Sequence, residues 1–78
     1  MFVYVLRSLR DGKRYVGLSG DIRQRLVEHN GGRVDSTRGR RPFELIHTEE
    51  LNTLGEARAR EKYLKSGAGR QFLKKLGK

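Results

Sequence analysis

A single carboxylate stands on an apolar helix face in the C-terminal half of the chain. At about 100° per residue, Leu54, Ala57, Glu61 and Leu64 project from one side of the same predicted helix. Burying an unpaired carboxylate is costly, so Glu61 should face a cation, hydrogen-bond donors or a metal ion. The chain therefore carries one acid whose position calls for a partner.

Four other side chains offer matching chemistry. Tyr4 and Tyr15 lie on a predicted hairpin, and Arg25 and His29 lie one turn apart on a predicted first helix. Arginine can donate a fork of hydrogen bonds to phosphate oxygens, and histidine can relay a proton or bind phosphate. A tyrosine hydroxyl can orient or deprotonate a water if nearby cations lower its pKa from about 10. Together with Glu61, these residues suggest a site that handles phosphate.

Each candidate also has a purely structural alternative. Glu61 could form a salt bridge to Arg25 or be an exposed helix acid, and the two tyrosines could simply pack on their strands. His29 could be a partner of the helix C-terminus. Gly17 has no side chain on the tyrosine face, which would let a DNA backbone approach the sheet, but it could equally mark a β-bulge. The residues alone leave these alternatives open.

The charge of the chain points to a polyanionic partner. The 78 residues include 18 Lys and Arg against 9 Asp and Glu, a net charge of +9. Nucleic acid is the commonest polyanion for so basic a domain. Cysteine is absent, which excludes disulfides, thiolate nucleophiles and cysteine-containing zinc sites. No apolar run approaches the roughly 18 residues of a membrane span and no apolar leader opens the chain, so we expect a soluble, cytoplasmic protein.

An Asp11-Gly12 turn signal predicts a β-hairpin at the start of the chain. The flanking segments, residues 2–8 and 14–19, are its two strands. With a two-residue turn Tyr4 shares a face with Tyr15, and a shift of register by two residues preserves that result.

The remaining elements follow from helix caps, glycines and apolar spacing. In chain order we predict a first helix from about Ser19 or Gly20 to Gly31, a third strand over 43–48 beside the first, a second helix over 53–65, and a short basic helix at about 70–76 after a break at 66–69. We interpret His47, on the third strand, as a surface residue without a chemical partner. One domain is expected to span residues 1–78.

Residues 31–42 are too polar and too rich in glycine for regular structure, and we predict an exposed basic loop. Its arginines could clamp a nucleic-acid backbone: Arg33, Arg38, Arg40 and Arg41. Such contacts are independent of base sequence and sensitive to salt. If about five phosphates are engaged, log affinity should fall with log salt concentration at a slope of roughly −4 to −5.

Two tripeptides and a helix resemble motifs of the GIY-YIG nuclease family. Phe2-Val3-Tyr4 stands at the first motif, Tyr15-Val16-Gly17 at the second, and residues 21–26 with His29 and Asn30 are similar to the family's arginine helix. Arg40-Arg41-Pro42, and Arg60-Glu61 with Leu64-Lys65, look like those of short single-domain members. The likeness covers about residues 2–65. The departures are Phe2 in place of a glycine, which would narrow the entrance to the site, and valines in place of isoleucines.

The resemblance implies an α+β fold, with a three-stranded antiparallel sheet flanked by helices. It also implies an endonuclease that hydrolyses phosphodiester bonds with a divalent metal, Mg²⁺ or Mn²⁺. Tyr4, Tyr15, Arg25 and His29 match its catalytic positions, and Glu61 matches the metal-binding acid. The expected partner is DNA, contacted through its backbone and preferred when branched or distorted, with the chain acting as a monomer.

Two other functions compete with this interpretation. A non-catalytic module that binds DNA or RNA could keep the same fold, although retention of both tyrosines, Arg25 and Glu61 argues against lost turnover. An RNA-binding or ribosome-associated protein would need exposed aromatic residues to stack single-stranded bases, and the chain has few of them.

Overall fold

In the computed structural model, which describes all 78 residues, three strands form one antiparallel sheet in the order β2-β1-β3. β1 spans Phe2–Ser8, β2 spans Arg14–Ser19 and β3 spans Phe43–Glu50. The central strand β1 is covered on both faces, because its consecutive residues from Val3 to Leu6 are each at most 1% exposed. The predicted α+β fold with a three-stranded antiparallel sheet is confirmed.

The loop between β1 and β2 is longer than the predicted two-residue turn. The backbone N–H of Ser8 donates to the carbonyl of Lys13 at 2.9 Å, which leaves residues 9–12 as the connection. Tyr4 pairs with Gly17 and Leu6 with Tyr15, two residues away from the predicted register. Because the shift is even, the prediction that the two tyrosines share a face is confirmed.

Three helices flank the sheet: α1 spans Ile22–Asn30, α2 spans Leu54–Lys65 and α3 spans Gly67–Lys75. The side chains of Asp21 and Thr53 cap α1 and α2 by accepting hydrogen bonds from backbone N–H groups of the first turn. None of the helices has the length and apolar character needed to cross a membrane.

The third helix begins at Gly67, earlier than the predicted start at about residue 70. Only Ser66 separates α2 from α3. Its hydroxyl caps α3 by accepting a hydrogen bond from the backbone N–H of Gly69 at 3.2 Å. A Cβ at Gly69 would overlap the carbonyl oxygen of Tyr63. Gly69, which we interpreted as part of a break, therefore lets α3 pack tightly against the end of α2.

The sheet separates two apolar cores. One lies under α2 and α3 and consists of Val3, Val5, Val16, Ala57, Leu64 and Leu73. The other lies under α1 and consists of Tyr4, Leu6 and Phe43, with Tyr15, Ile22 and Leu26 packed against it. Leu54 is 44% exposed, so the apolar side of α2 is buried only at Ala57 and Leu64.

Our interpretation of His47 as a surface residue without a partner is wrong. Its Nε2 lies 2.8 Å from the Glu49 carboxylate, which also accepts a 2.6 Å hydrogen bond from Arg60. The guanidinium of Arg60 lies between the rings of Tyr63 and Phe72, at 4.8 and 4.9 Å from their centroids. Burial by itself would raise the pKa of Glu49, but the hydrogen bonds from Arg60 and His47 outweigh it and lower that pKa. This group ties β3 to α2 and α3.

Candidate active site

The phenolic oxygen of Tyr4 lies at the centre of the candidate site. It is 2.9 Å from Nε2 of His29 and 3.4 Å from Nε of Arg25, which donates to it. The ring of Tyr15 packs alongside, with its centroid 6.3 Å from that of Tyr4 and 4.9 Å from that of His29. Four of the five residues grouped by the sequence therefore meet around one buried hydroxyl.

The orientation of α1 brings Arg25 and His29 to this hydroxyl. Ile22 and Leu26 pack into the core beneath the helix, which turns the neighbouring side toward Tyr4. At the end of α1, the Asn30 side chain accepts from the backbone N–H of Phe43 at 2.7 Å and donates to its carbonyl at 3.2 Å. Asn30, which the sequence did not distinguish from any helix-end residue, fastens α1 to β3.

Gly17 makes room for the Tyr4 phenol. A Cβ at this position would lie 2.5 Å from the Tyr4 hydroxyl oxygen and 3.1 Å from Cε1 of Tyr15. Gly17 is also buried. A tyrosine ring therefore fills the space on the tyrosine face through which we predicted that a DNA backbone could approach Gly17.

Replacing Gly17 by alanine is expected to destabilise the protein by about 1–3 kcal/mol, because the new methyl group must displace the Tyr4 hydroxyl from its partners. The free energy of unfolding in urea measures this effect. Gly20→Ala is the matched control, since a Cβ at Gly20 meets no atom within 4 Å. Equal stability of the two variants would contradict the tight contact between Gly17 and Tyr4.

Burial and the charge of Arg25 determine the protonation states of Tyr4 and His29. Burial raises the pKa of Tyr4, and the hydrogen bond and charge of Arg25 oppose this only in part. Burial also lowers the pKa of His29, and the nearby Arg25 charge lowers it further. At neutral pH both Tyr4 and His29 are therefore uncharged.

The lowered pKa of His29 makes the protein less stable in acid. The unfolded chain has a histidine pKa of about 6.5 and therefore binds protons at a higher pH than the folded state. The free energy of unfolding should be at its full value above about pH 6.5 and decrease as pH falls toward the folded pKa. Urea unfolding across this range should show the decrease, and His29→Gln should flatten it. If His47→Gln flattened it instead, His29 would not be the responsible group.

The other ring nitrogen of His29 contacts a residue that the sequence did not single out. Thr37 is 0% exposed, and its Oγ1 lies 2.8 Å from Nδ1 of His29. The prediction of an irregular exposed loop over residues 31–42 is wrong here, and wrong again at Arg38–Arg40, which form a 3₁₀ turn. A single buried threonine in a polar segment creates no periodic pattern, so the sequence contains no signal for it.

Three of the four loop arginines hold the loop in place, through bonds within it or to the β1–β2 hairpin. Arg38 bonds to the Gly32 carbonyl and to Asp35, Arg40 bonds to Asp11 and to the Arg14 carbonyl, and Arg41 bonds to the Arg38 carbonyl. Arg33 is exposed, and its side chain forms no hydrogen bond within the protein. The predicted clamp therefore has one free guanidinium and three partly committed ones.

A second group of cations surrounds an open cleft of about 730 Å³ along the outer side of β2. Four cations line the cleft: Lys13 from the loop before β2, Arg14 from β2, Lys65 from α2 and Arg70 from α3. Tyr15 also lines it. Neither Lys13 nor Arg70 has an acidic partner. The sequence gives no sign of this grouping, because its members come from distant segments.

Glu61 lies on α2 with its side chain 24% exposed, and its carboxylate is 3.3 Å from the ammonium of Lys65. It does not pair with Arg25, which instead bonds to Glu28 at 3.0 Å. Burial is the main cause of the raised pKa of Tyr4, and the negative charge of Glu61 adds the smallest contribution to it.

The chain has no cluster of three or more His, Asp or Glu side chains that could hold a metal ion. A partly exposed carboxylate such as Glu61 still suits Mg²⁺, which keeps several waters and takes other ligands from substrate phosphate. The donor chemistry at Glu61 therefore fits an ion shared between the protein and a nucleic acid.

The chain is similar to known proteins over most of its length. A family model described as the GIY-YIG catalytic domain matches residues 1–75. A UPF0213 protein of Staphylococcus epidermidis is 37% identical over 76 residues, which cover 96% of this chain and 92% of the relative. A UPF0213 protein of Natronomonas pharaonis is 41% identical over 66 residues, which cover 83% of this chain and 76% of the relative. No solved structure matches the chain.

Proposed function

Because the chain belongs to the GIY-YIG family, we propose that it is a divalent-metal-dependent endonuclease that hydrolyses phosphodiester bonds in DNA. The observation that carries the proposal is the convergence of His29 and Arg25 on the buried hydroxyl of Tyr4. Packing alone would not require a proton acceptor and a fixed cation at one phenol. A hydrolase needs both, because an oxygen nucleophile must lose a proton while negative charge develops on phosphate.

In the proposed reaction Tyr4 is the general base although burial raises its pKa, because His29 is placed to accept its proton and Arg25 to stabilise the phenolate. Its proton passes to Nε2 of His29 over the 2.9 Å contact, and the resulting phenolate takes a proton from the attacking water. The water oxygen bonds to phosphorus, the bond from phosphorus to the leaving sugar oxygen breaks, and that oxygen takes up a proton from solvent. Tyr15, whose ring lies beside both residues, holds the water or the scissile phosphate.

Arg25 and Glu61 deal with charge. Arg25 donates to Tyr4, which stabilises the phenolate, and its remaining N–H groups can bind phosphate oxygens. Glu61 would hold the divalent ion, which when bound neutralises charge on the phosphate. In this proposal Arg25 stabilises the Tyr4 phenolate, and the divalent ion neutralises charge on the phosphate.

We propose further that the enzyme selects DNA by shape rather than by sequence. Support comes from the cleft beside Tyr15, where Lys13 and Arg70 have no acidic partner and can contact phosphates. Contacts to phosphates position a nucleic acid but carry no direct sequence information. Branched or distorted DNA would also bring a backbone more easily to a phenol that lies below the surface.

Labelled duplexes, forks and single strands of one base sequence, with an RNA of the same sequence, test the proposal. We expect nicking in the presence of Mg²⁺ or Mn²⁺, none with chelator, and faster cleavage of forked than of plain duplex DNA. Retention of each nucleic acid is measured in parallel. If the protein retains DNA but cuts none of these substrates with either metal, it is a non-catalytic nucleic-acid-binding module.

A further inference from the structure

Thr37 carries a hydroxyl group that is fully buried beside the imidazole of His29. Its Oγ1 lies 2.8 Å from Nδ1 of His29 and 3.3 Å from the carbonyl oxygen of Val34. If Thr37 only filled space, its hydroxyl would need no partner beyond the nearby carbonyl of Val34. The hydroxyl also contacts His29, which belongs to the candidate site. The contact with His29 therefore calls for a chemical explanation.

The directions of these hydrogen bonds follow from the atoms involved. A hydroxyl has one proton to donate, and the carbonyl oxygen of Val34 can only accept. Threonine commonly donates to a carbonyl three residues earlier, as Thr37 does here. With its proton directed to Val34, the hydroxyl of Thr37 would offer a lone pair to Nδ1 of His29, and the single ring proton would then lie on Nδ1.

The second ring nitrogen is then free to accept. His29 is uncharged at neutral pH and has a single N–H, which this arrangement places on Nδ1. Nε2 is left with a lone pair 2.9 Å from the Tyr4 hydroxyl. Tyr4 therefore donates to His29 and accepts from Arg25, and the bonds run in one direction from Arg25 to Val34.

We propose that Thr37 is a positioning residue that fixes His29 in the Nδ1–H tautomer, so that Nε2 accepts the Tyr4 proton. The proposal rests on the proposed function, in which Tyr4 is the general base. In the opposite tautomer an N–H would point at the Tyr4 oxygen, and the phenol would have no acceptor for its proton. Because Thr37 lies in the basic loop of residues 31–42, the proton acceptor depends on the conformation of a segment that can also contact DNA.

Three substitutions in the loop separate the hydroxyl from the shape of residue 37. Thr37→Val removes the hydroxyl at nearly constant volume, Thr37→Ser keeps it, and Ser36→Ala removes an exposed hydroxyl that has no hydrogen bond. We expect cleavage by Thr37→Val to fall about 10–100-fold, as is typical when the partner that orients a functional histidine is lost. Thr37→Ser should restore most of the rate, and Ser36→Ala should match the wild type.

Proton–nitrogen NMR of the imidazoles reads the tautomer directly. The chain has two histidines, so a His47→Gln background leaves only the signals of His29. We expect a protonated Nδ1 and an unprotonated Nε2 when residue 37 is threonine, and a mixture of tautomers in Thr37→Val. A protonated Nε2 with threonine present, or a folded Thr37→Val protein that cuts at the wild-type rate, would overturn the proposal.

The two readouts keep this proposal apart from the nuclease assignment. A protein that cuts no nucleic acid but shows the Nδ1–H tautomer overturns the proposed function and supports the placement of His29 by Thr37. A protein that cuts DNA with His29 in the Nε2–H form overturns the role of Thr37 and the proton transfer from Tyr4 to His29, but leaves the nuclease assignment in place. If Thr37→Val does not fold, the spectrum with threonine present and the rate of Thr37→Ser decide the matter.

Discussion

Replacing Glu61 by glutamine is expected to abolish metal-dependent DNA cleavage while DNA binding persists. Glutamine keeps the size of the side chain but removes the negative charge that would hold a divalent ion. Loss of about 4 kcal/mol of charge stabilisation corresponds to a rate about a thousandfold lower. Binding should change little, because the cations that contact phosphates remain and loss of the exposed pair with Lys65 has a small effect on stability.

Single-turnover cleavage and DNA retention, measured on the same protein, distinguish these outcomes. Glu50→Gln is the matched control, because it removes the same charge at an exposed position at the end of β3 that forms no ion pair. We expect the control to cut at the wild-type rate. Cleavage by Glu61→Gln at that rate would show that this acid does not hold the ion.

Replacing Arg25 by alanine should lower turnover about 100- to 1,000-fold with only a modest loss of affinity. A donor aimed at charge that develops during the reaction contributes to the rate rather than to ground-state binding. Arg25 has a second role here, since its Nε donates to the Tyr4 oxygen that becomes negative. Arg25→Lys should also be impaired, because an ammonium group cannot bond to Tyr4 and to phosphate in the same geometry.

Arg23→Ala provides the control on the same helix, because Arg23 is exposed and forms no ion pair. It removes the same charge from α1, so any general effect on DNA attraction appears in both variants. If Arg25→Ala lost affinity and rate by the same factor, Arg25 would be a docking contact rather than a group that acts on the reaction.

The two pairs of site residues could be predicted, because the shared strand face of Tyr4 and Tyr15 and the shared helix side of Arg25 and His29 each depend on local periodicity. The side chains of a strand alternate with a period of two, so Tyr4 and Tyr15 stay on one face although the turn is longer than predicted. Arg25 and His29 are four residues apart on α1, and Thr53 shows the capping pattern of α2. In these cases the sequence pattern extends over a few residues and the structure preserves it.

Features that depend on contacts between distant segments could not be predicted. Gly17 looked open to a DNA backbone, but the ring of Tyr4 from the neighbouring strand occupies that space. Thr37 looked like a residue of a polar loop, but the packing of that loop over the end of α1 buries it against His29. Arg14 and Arg70 meet in one cleft only because α3 returns to the side of β2. None of these contacts produces a pattern within a single segment of the sequence.

Complete burial of His29 restricts how a proton can leave it. Its ring is 0% exposed, and its nitrogens are hydrogen-bonded only to Tyr4 and Thr37. In the proposed reaction the Thr37 hydroxyl directs its own proton toward Val34, so a proton taken up at Nε2 would return to solvent through the phenol that delivered it. Tyr4 and His29 would then have to release that proton before another water could be activated.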